Sequence, residues 1–164
     1  MAGYENLLTY TQCEEIYDLT IEFCQKFLPG RELLRQREQM IQAARSAKQC
    51  IAEGATQKTS LKGYIKMLGI SRGSLEELLK DYQDFTRLRN IAIWDKSDPR
   101  LKETGERVKR VKRETGETVN YLIDLIIRTN YLLDRQKNSL EEKFIKEGGY
   151  SEKLFKRRLA QRKQ

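Results

Sequence analysis

The chain has 164 residues, carries 32 Lys and Arg against 24 Asp and Glu for a net charge of +8, and contains no histidine. That length suits one domain, and the missing histidine removes the commonest metal ligand and general base. No segment approaches the roughly 18 apolar residues of a membrane span, and the first residues lack the basic start and apolar core of an export signal, so a cytoplasmic protein with no membrane partner is expected.

Helix is the default, because only two prolines interrupt the chain, and the 38% of hydrophobic residues suffice for a core if they lie in stripes. Thr11-Gln12-Cys13-Glu14 reads as a capping box ahead of Ile16, Leu19, Phe23 and Phe27. With Pro29-Gly30 as the stop, the spacing predicts a first helix over about 11–28. From Arg31 a second pattern runs through Leu34, Met40, Ala43, Ala44, Ala47, Cys50 and Ile51 to Gly54, a seam of small residues that lets a neighbour approach closely. Thr59-Ser60 offers caps for a third helix in which Leu61, Tyr64, Leu68, Ser71, Leu75, Leu78, Tyr82 and Phe85 form one stripe, widened by Ile65, Leu79 and Leu88. Gly69 and Gly73 share a helical face and are read as helix contact points rather than a phosphate cradle.

After Trp94, Asp98 is placed to cap a fourth helix with Pro99 at its first position. Val108, Val111, Thr115, Thr118, Leu122, Leu125, Thr129 and Leu132 keep the rhythm, and Val119, Ile126 and Leu133 add a flanking stripe suited to a subunit interface. Leu140 and Phe144 prolong the pattern; a helix unbroken from 100 to 147 would be about 70 Å long, so a bend or projection is expected near Asp134 to Ser139. Past Gly148-Gly149, Ser151 is placed to cap a last short helix carrying Leu154, Phe155 and Leu159. A flexible tail is the alternative, since a short isolated helix is marginal in water.

Charge is localised. Lys153, Lys156, Arg157, Arg158, Arg162 and Lys163 sit in a segment with no acid, and a second concentration, from Arg100 to Arg113, sets seven cations against Glu103 and Glu106. Cys13, Cys24 and Cys50 form no CxxC pair; Cys13 and Cys24 on one helix are roughly 16 Å apart, too far to bridge. Buried, inert thiols are expected.

Two stretches carry a family resemblance. Ala43-Ala44, Ser46 and Cys50-Ile51-Ala52-Glu53-Gly54, followed by Ser71-Arg72-Gly73-Ser74-Leu75-Glu76-Glu77-Leu78, resemble the second- and third-helix motifs of bacterial four-helix bundle proteins related to the 23S rRNA intervening-sequence proteins. Cys50 stands where that family has asparagine, and the proline often found within its second helix is absent. Thr129-Asn130-Tyr131-Leu132-Leu133-Asp134-Arg135-Gln136, leading to Leu140 through Phe144 and Gly148-Gly149, is similar to the four helix bundle suffix domain subgroup. The wider family is also similar, distantly, to the accessory variability protein of diversity-generating retroelements, a basic pentamer that binds nucleic acid and a reverse transcriptase. The resemblance implies an all-α, antiparallel up-and-down four-helix bundle over 1–133 with a C-terminal suffix over 134–164, assembled as a ring of five copies.

Glu53 most invites a catalytic role, but one carboxylate without histidine, metal-ligand cluster or phosphate loop makes a poor active site, and an ion pair with Arg72 or Arg45 is the structural reading. No enzyme activity, cofactor, metal or small-molecule substrate is expected. The expected function is binding of structured RNA or a nucleoprotein assembly through Arg107, Lys109, Arg110, Lys112, Arg113 and the tail cations, with Tyr150 and Phe155 available to stack on bases. A protein-interaction scaffold docking a partner such as a reverse transcriptase, its charge serving solubility, is the alternative.

Overall fold

The computed structural model describes residues 3–57, 59–107 and 115–162, with the side chains at 106 and 107 outside that description. Among the described residues the chain forms α1 (Leu8–Phe27), α2 (Leu34–Thr56), α3 (Leu61–Leu88), α4 (Pro99–Arg107), α5 (Thr115–Glu147) and α6 (Tyr150–Gln161), with a 3-10 turn at Tyr4–Asn6 and no strand.

Helix ends follow local chemistry in most places. Ser60 caps α3, its Oγ accepting from the Gly63 N–H at 2.9 Å. The same helix stops where Asn90 takes φ 54°: the Asn90 N–H donates to the Arg87 carbonyl and the Ile91 N–H to the Thr86 carbonyl, a complete Schellman closure with asparagine in the left-handed position. Asp98 caps α4 as the sequence indicates, accepting from the Arg100 N–H at 3.0 Å. The first helix departs from expectation. It starts at Leu8 with no side-chain cap, and Thr11 Oγ1 donates to the Leu8 carbonyl from inside the helix, so the Thr11 capping box does not form. Tertiary contact decides the start, because Thr9 is buried and donates to Gln136 Oε1 at 2.8 Å. Between α1 and α2, the Arg37 guanidinium donates to the carbonyls of Leu28 and Gly30, and α2 begins at Leu34 rather than Arg31.

One hydrophobic core is shared by α1, α2, α3 and α5. Helix α1 packs against α2 and α5, and α3 against the same two, while α4 rests on α5. Thr9, Gln12 and Glu15 of α1 meet Gln136, Thr129 and Tyr121 of α5, in opposite order along the two helices. At the centre, Phe23 stacks edge-on against Tyr82 and Phe85 with centroids 5.0 and 4.8 Å away, and Thr20 Oγ1 and Tyr82 Oη share a hydrogen bond of 2.9 Å. Full burial of each such ring contributes on the order of 1.5–3 kcal/mol. Among the described residues no helix is long and apolar enough to cross a membrane.

Three sequence expectations are corrected here. Val119, Ile126 and Leu133 are buried in this chain's own core, where α5 packs against α1 and α3, so they are not a free lateral stripe. The helix expected from Pro99 onward is two, α4 resting on α5, and α5 itself runs without a break through 134–139 with Leu140 still packed against the core. Gly69 and Gly73 are exposed, and a Cβ at either would meet nothing within 4 Å. The close approach lies elsewhere on the α2–α3 seam: a Cβ at Gly54 would stand 2.6 Å from Tyr64 Cδ2 and 3.0 Å from Met67 Cβ.

Opposite signs are therefore expected for two Gly→Ala changes. Gly73→Ala should raise stability by up to about 1 kcal/mol through helix propensity. Gly54→Ala should lower it by about 1–3 kcal/mol through overpacking. Urea denaturation of the two variants checks this; a stabilised Gly54→Ala would contradict the seam geometry.

Candidate nucleic-acid interface

Helix α6 exists because two glycines turn the chain. Gly148 takes φ +71°, its N–H donating to the Phe144 carbonyl at 2.9 Å to close α5, and Gly149 then caps α6, its N–H donating to Glu152 Oε2 at 3.2 Å. The N-cap is Gly149 rather than Ser151, which lies inside the helix. Lys153 Nζ reaches back to Glu147 Oε2 at 2.7 Å, and this hydrogen bond holds the Glu147 carboxyl below its ordinary range. No residue of α6 is buried. Lys153, Lys156, Arg157, Arg158 and Arg162 are all exposed, with Tyr150, Leu154, Phe155 and Leu159 exposed among them; Lys163 lies outside the described residues.

The other basic run is only partly placed. Arg107 ends α4, and Lys109, Arg110, Lys112 and Arg113 lie outside the described residues. Helix α4 itself is anchored by Leu101 and Thr104, both buried, and by Gly105, where a Cβ would stand 3.3 Å from the Tyr121 ring. Because α4 meets α5 around Tyr121 and Arg128 whereas α6 begins after Glu147, roughly 30–40 Å of α5 separates the two basic elements along the helix axis. Within one chain α4 and α6 therefore sit toward different ends of α5.

Sequence reasoning passed over the segment before α4. Trp94 N–H donates to Asn120 Oδ1 at 2.7 Å, and Asn120 Nδ2 donates to the carbonyls of Ala92 and Gly116 at 3.0 and 2.9 Å. Asn120 is 2% exposed, so one buried amide pins the strap from 92 to 94 onto α5. Arg100 lies 4.2 Å from the Trp94 ring centroid and is gripped by Asp98 through Nε–Oδ1 at 3.0 Å and Nη2–Oδ2 at 2.6 Å. That hydrogen bond from Arg100 keeps the Asp98 carboxyl below its usual range. Beside the strap runs a groove of about 580 Å³ lined by Lys96, Lys102, Tyr121, Asp124 and Arg128 among others. The six-residue separation of Trp94 and Arg100 spans a turn, so no helical or strand period announces their contact.

The motif residues divide into an inner and an outer set. Ala43, Ala44, Ile51, Gly54, Leu75 and Leu78 are buried on the seam, while Ser46 Oγ and Ser74 Oγ share a hydrogen bond of 3.0 Å across it. Ala52 is half-buried, and Glu53, Gly73 and Glu77 face outward. Arg72 pairs with Glu76 at 2.8 Å and with Asp134 at 3.3 Å, not with Glu53, whose carboxylate has no hydrogen bond or ion pair among the described residues. Glu53 projects away from the seam because Gly54, one residue on, faces inward. Among the described residues no three Cys, Asp or Glu side chains gather in metal-binding geometry.

The sequence profile of the 23S rRNA-intervening sequence proteins matches residues 5–111. The chain belongs to that family. Its matched stretch takes in the α2–α3 seam and the Trp94 strap, whereas α5 and α6 lie beyond it. No curated protein and no solved structure matches the chain.

Burial pushes the Cys13 thiol up to about 12 and the Cys24 thiol up to about 11, and raises Cys50 as well. All three are buried and unpaired, with Cys50 the least enclosed at 8% exposed. A raised pKa keeps the reactive thiolate scarce. At mildly alkaline pH a maleimide should therefore label the folded protein far more slowly than the unfolded chain, with Cys50 first; mass spectrometry of time points reads the order.

Proposed function

We propose that this protein is a non-enzymatic, oligomeric helical bundle that binds structured RNA or a nucleoprotein assembly through α6 and the basic α4 end. The observation that carries this reading is α6: a fully exposed helix with four cations and a single acid, Glu152, and a fifth cation, Arg162, at its C-cap. Such a helix offers several charged donors to a phosphate backbone without disturbing the core. Family membership adds an association with rRNA in the family's name, and supports the reading without assigning a ligand.

An antiparallel up-and-down arrangement of α1, α2, α3 and α5 is supported by the opposite order of contacts between α1 and α5 and by Ser46 with Ser74 and Ala47 with Ser71 between α2 and α3. For assembly, a ring of five copies is the proposal that the resemblance suggests, with a suffix over 134–164 extending from it. Ile127 and Tyr131, 50% and 61% exposed on the outside of α5, are the apolar groups such a ring would cover. Light scattering should give a molar mass several times that of the chain, and Ile127→Lys should lower it while leaving helicity intact. A monomeric native protein would refute the ring.

The scaffold alternative keeps one specific support, the exposed Tyr150, Leu154, Phe155 and Leu159 on α6, which a protein groove would bury. Deleting residues 149–164 separates the readings, and the bundle should keep its melting transition because α6 contributes nothing to the core. Under the RNA reading, affinity for a labelled structured RNA falls sharply. The slope of log affinity against log salt flattens by about 0.7–0.9 for each phosphate that the shortened protein no longer neutralises. Unchanged RNA affinity, or binding confined to very low salt in the full chain, would leave the scaffold reading standing.

A further inference from the structure

The strap between α3 and α4 holds the chain's single tryptophan in a setting that the basic patches alone do not explain. Its backbone is fixed by the buried Asn120, yet its ring is only partly covered and carries the Arg100 guanidinium on one side. Asp98 grips that guanidinium through two hydrogen bonds, Nε to Oδ1 and Nη2 to Oδ2, a fork that engages its edge rather than its faces. Arg100 remains 59% exposed. A guanidinium and an indole are thus held against each other at the protein surface, by interactions that would be unnecessary for a solvated arginine.

The adjoining groove is arranged for anions. Its carboxylates are already engaged, Asp98 by Arg100 and Asp124 by Arg128 at 2.7 Å, whereas Lys96 and Lys102 make no ion pair among the described residues. Lys96 does lie within electrostatic reach of the exposed Asp95, but neither lysine is held in a direct ion pair among the described residues, and a planar apolar-faced group beside them matches the two halves of a nucleotide, a base that stacks and a phosphate that carries charge.

We propose that the Trp94–Arg100 stack is a platform for an unpaired nucleobase, with Lys96 and Lys102 receiving the flanking phosphates. This inference rests on the RNA-binding reading and adds selectivity to it. Stacking is open to every base, so no sequence preference follows; bases inside a duplex are already stacked, so single-stranded or looped segments are favoured. The site lies on a different element from α6, and its loss leaves the phosphate contacts of α6 intact.

Because Trp94 is the only tryptophan, its emission reports the platform directly. The full-length protein is titrated into end-labelled oligo-uridine and, separately, into a labelled RNA duplex of matched length, reading label anisotropy and Trp94 fluorescence together. The expected result is quenching of Trp94 in step with anisotropy for the single strand, and an anisotropy rise without quenching for the duplex. Trp94→Leu should weaken single-strand binding by about tenfold or more, the scale of one base–aromatic stack, with duplex affinity unchanged. Arg100→Gln, which leaves the Trp94 backbone contacts in place, should weaken it in the same direction. If anisotropy rises while Trp94 emission and the Arg100→Gln affinity stay constant, the platform is overturned and RNA binding stands. If neither RNA changes the anisotropy, the RNA-binding reading itself fails and the platform falls with it.

Discussion

A single layer of side chains ties the four core helices together, and it depends on the absence of a side chain at Gly54. The Tyr64 ring of α3 occupies the space that a Cβ on α2 would need. Tyr64 Oη then accepts from Gln136 Nε2 of α5 at 2.8 Å, and Gln136 Oε1 accepts from Thr9 Oγ1 of α1 at 2.8 Å. Burial raises the Tyr64 phenol above its ordinary pKa, while the hydrogen bond accepted from Gln136 acts the other way. The chain of contacts crosses from α2 to α3 to α5 to α1, and it also explains why α1 begins at Leu8: Thr9 must already be helical to meet Gln136. A partly buried polar network of this kind is most favourable when each member is satisfied, so it favours one register of the four helices.

That layer clarifies the recognisable motif. Ile51, Gly54, Leu75 and Leu78 are selected by packing, and Ser46 and Ser74 by a hydrogen bond between helices. Glu53 is carried along on the outer face of the same turn. Ser71 belongs with the inner group, since its Oγ donates to the Ala47 carbonyl at 2.8 Å with no exposure at all. A serine in this place joins the helix backbones more closely than a larger residue would permit.

Helices α2 and α3 were legible from spacing, and caps such as Ser60 and Asp98 from residue type, because both are properties of a few consecutive residues. What failed were inferences about which side a residue faces. At 100° per residue, Leu68, Ser71, Leu75, Leu78, Tyr82 and Phe85 define the inner arc of α3, and Gly69 and Gly73 lie well away from it. The arc therefore carries the signal, and glycine spacing alone does not show which face the pair occupies. For Val119, Ile126 and Leu133 the spacing marks the buried arc but not its partner, since a stripe has the same period whether this chain's own helices or another copy covers it. Trp94, Asn120 and Arg100 form a site through a turn and a long-range amide contact, and neither leaves a period in the sequence.

Electrostatics separate α6 from the rest of the chain. On the bundle, Arg72, Lys80, Arg87 and Arg128 each have a carboxylate within ion-pair distance, so much of the charge there is internally matched. On α6 only Lys153 has such a partner among the described residues. Lys153 with Arg157, and Arg158 with Arg162, are like charges one helical turn apart, each pair opposing the helix by about 0.2–0.5 kcal/mol. A helix of this length with no buried face has little stability in reserve. Anions bound along it would remove that repulsion, so the charge that weakens α6 alone is the same charge that would couple its helicity to a phosphate backbone. Added salt acts on both terms in opposite directions: it screens the internal repulsion and competes for the anion sites. Helicity of free α6 should thus rise with salt while the proposed complex weakens, and a tail lacking helical order could not show the first of these effects.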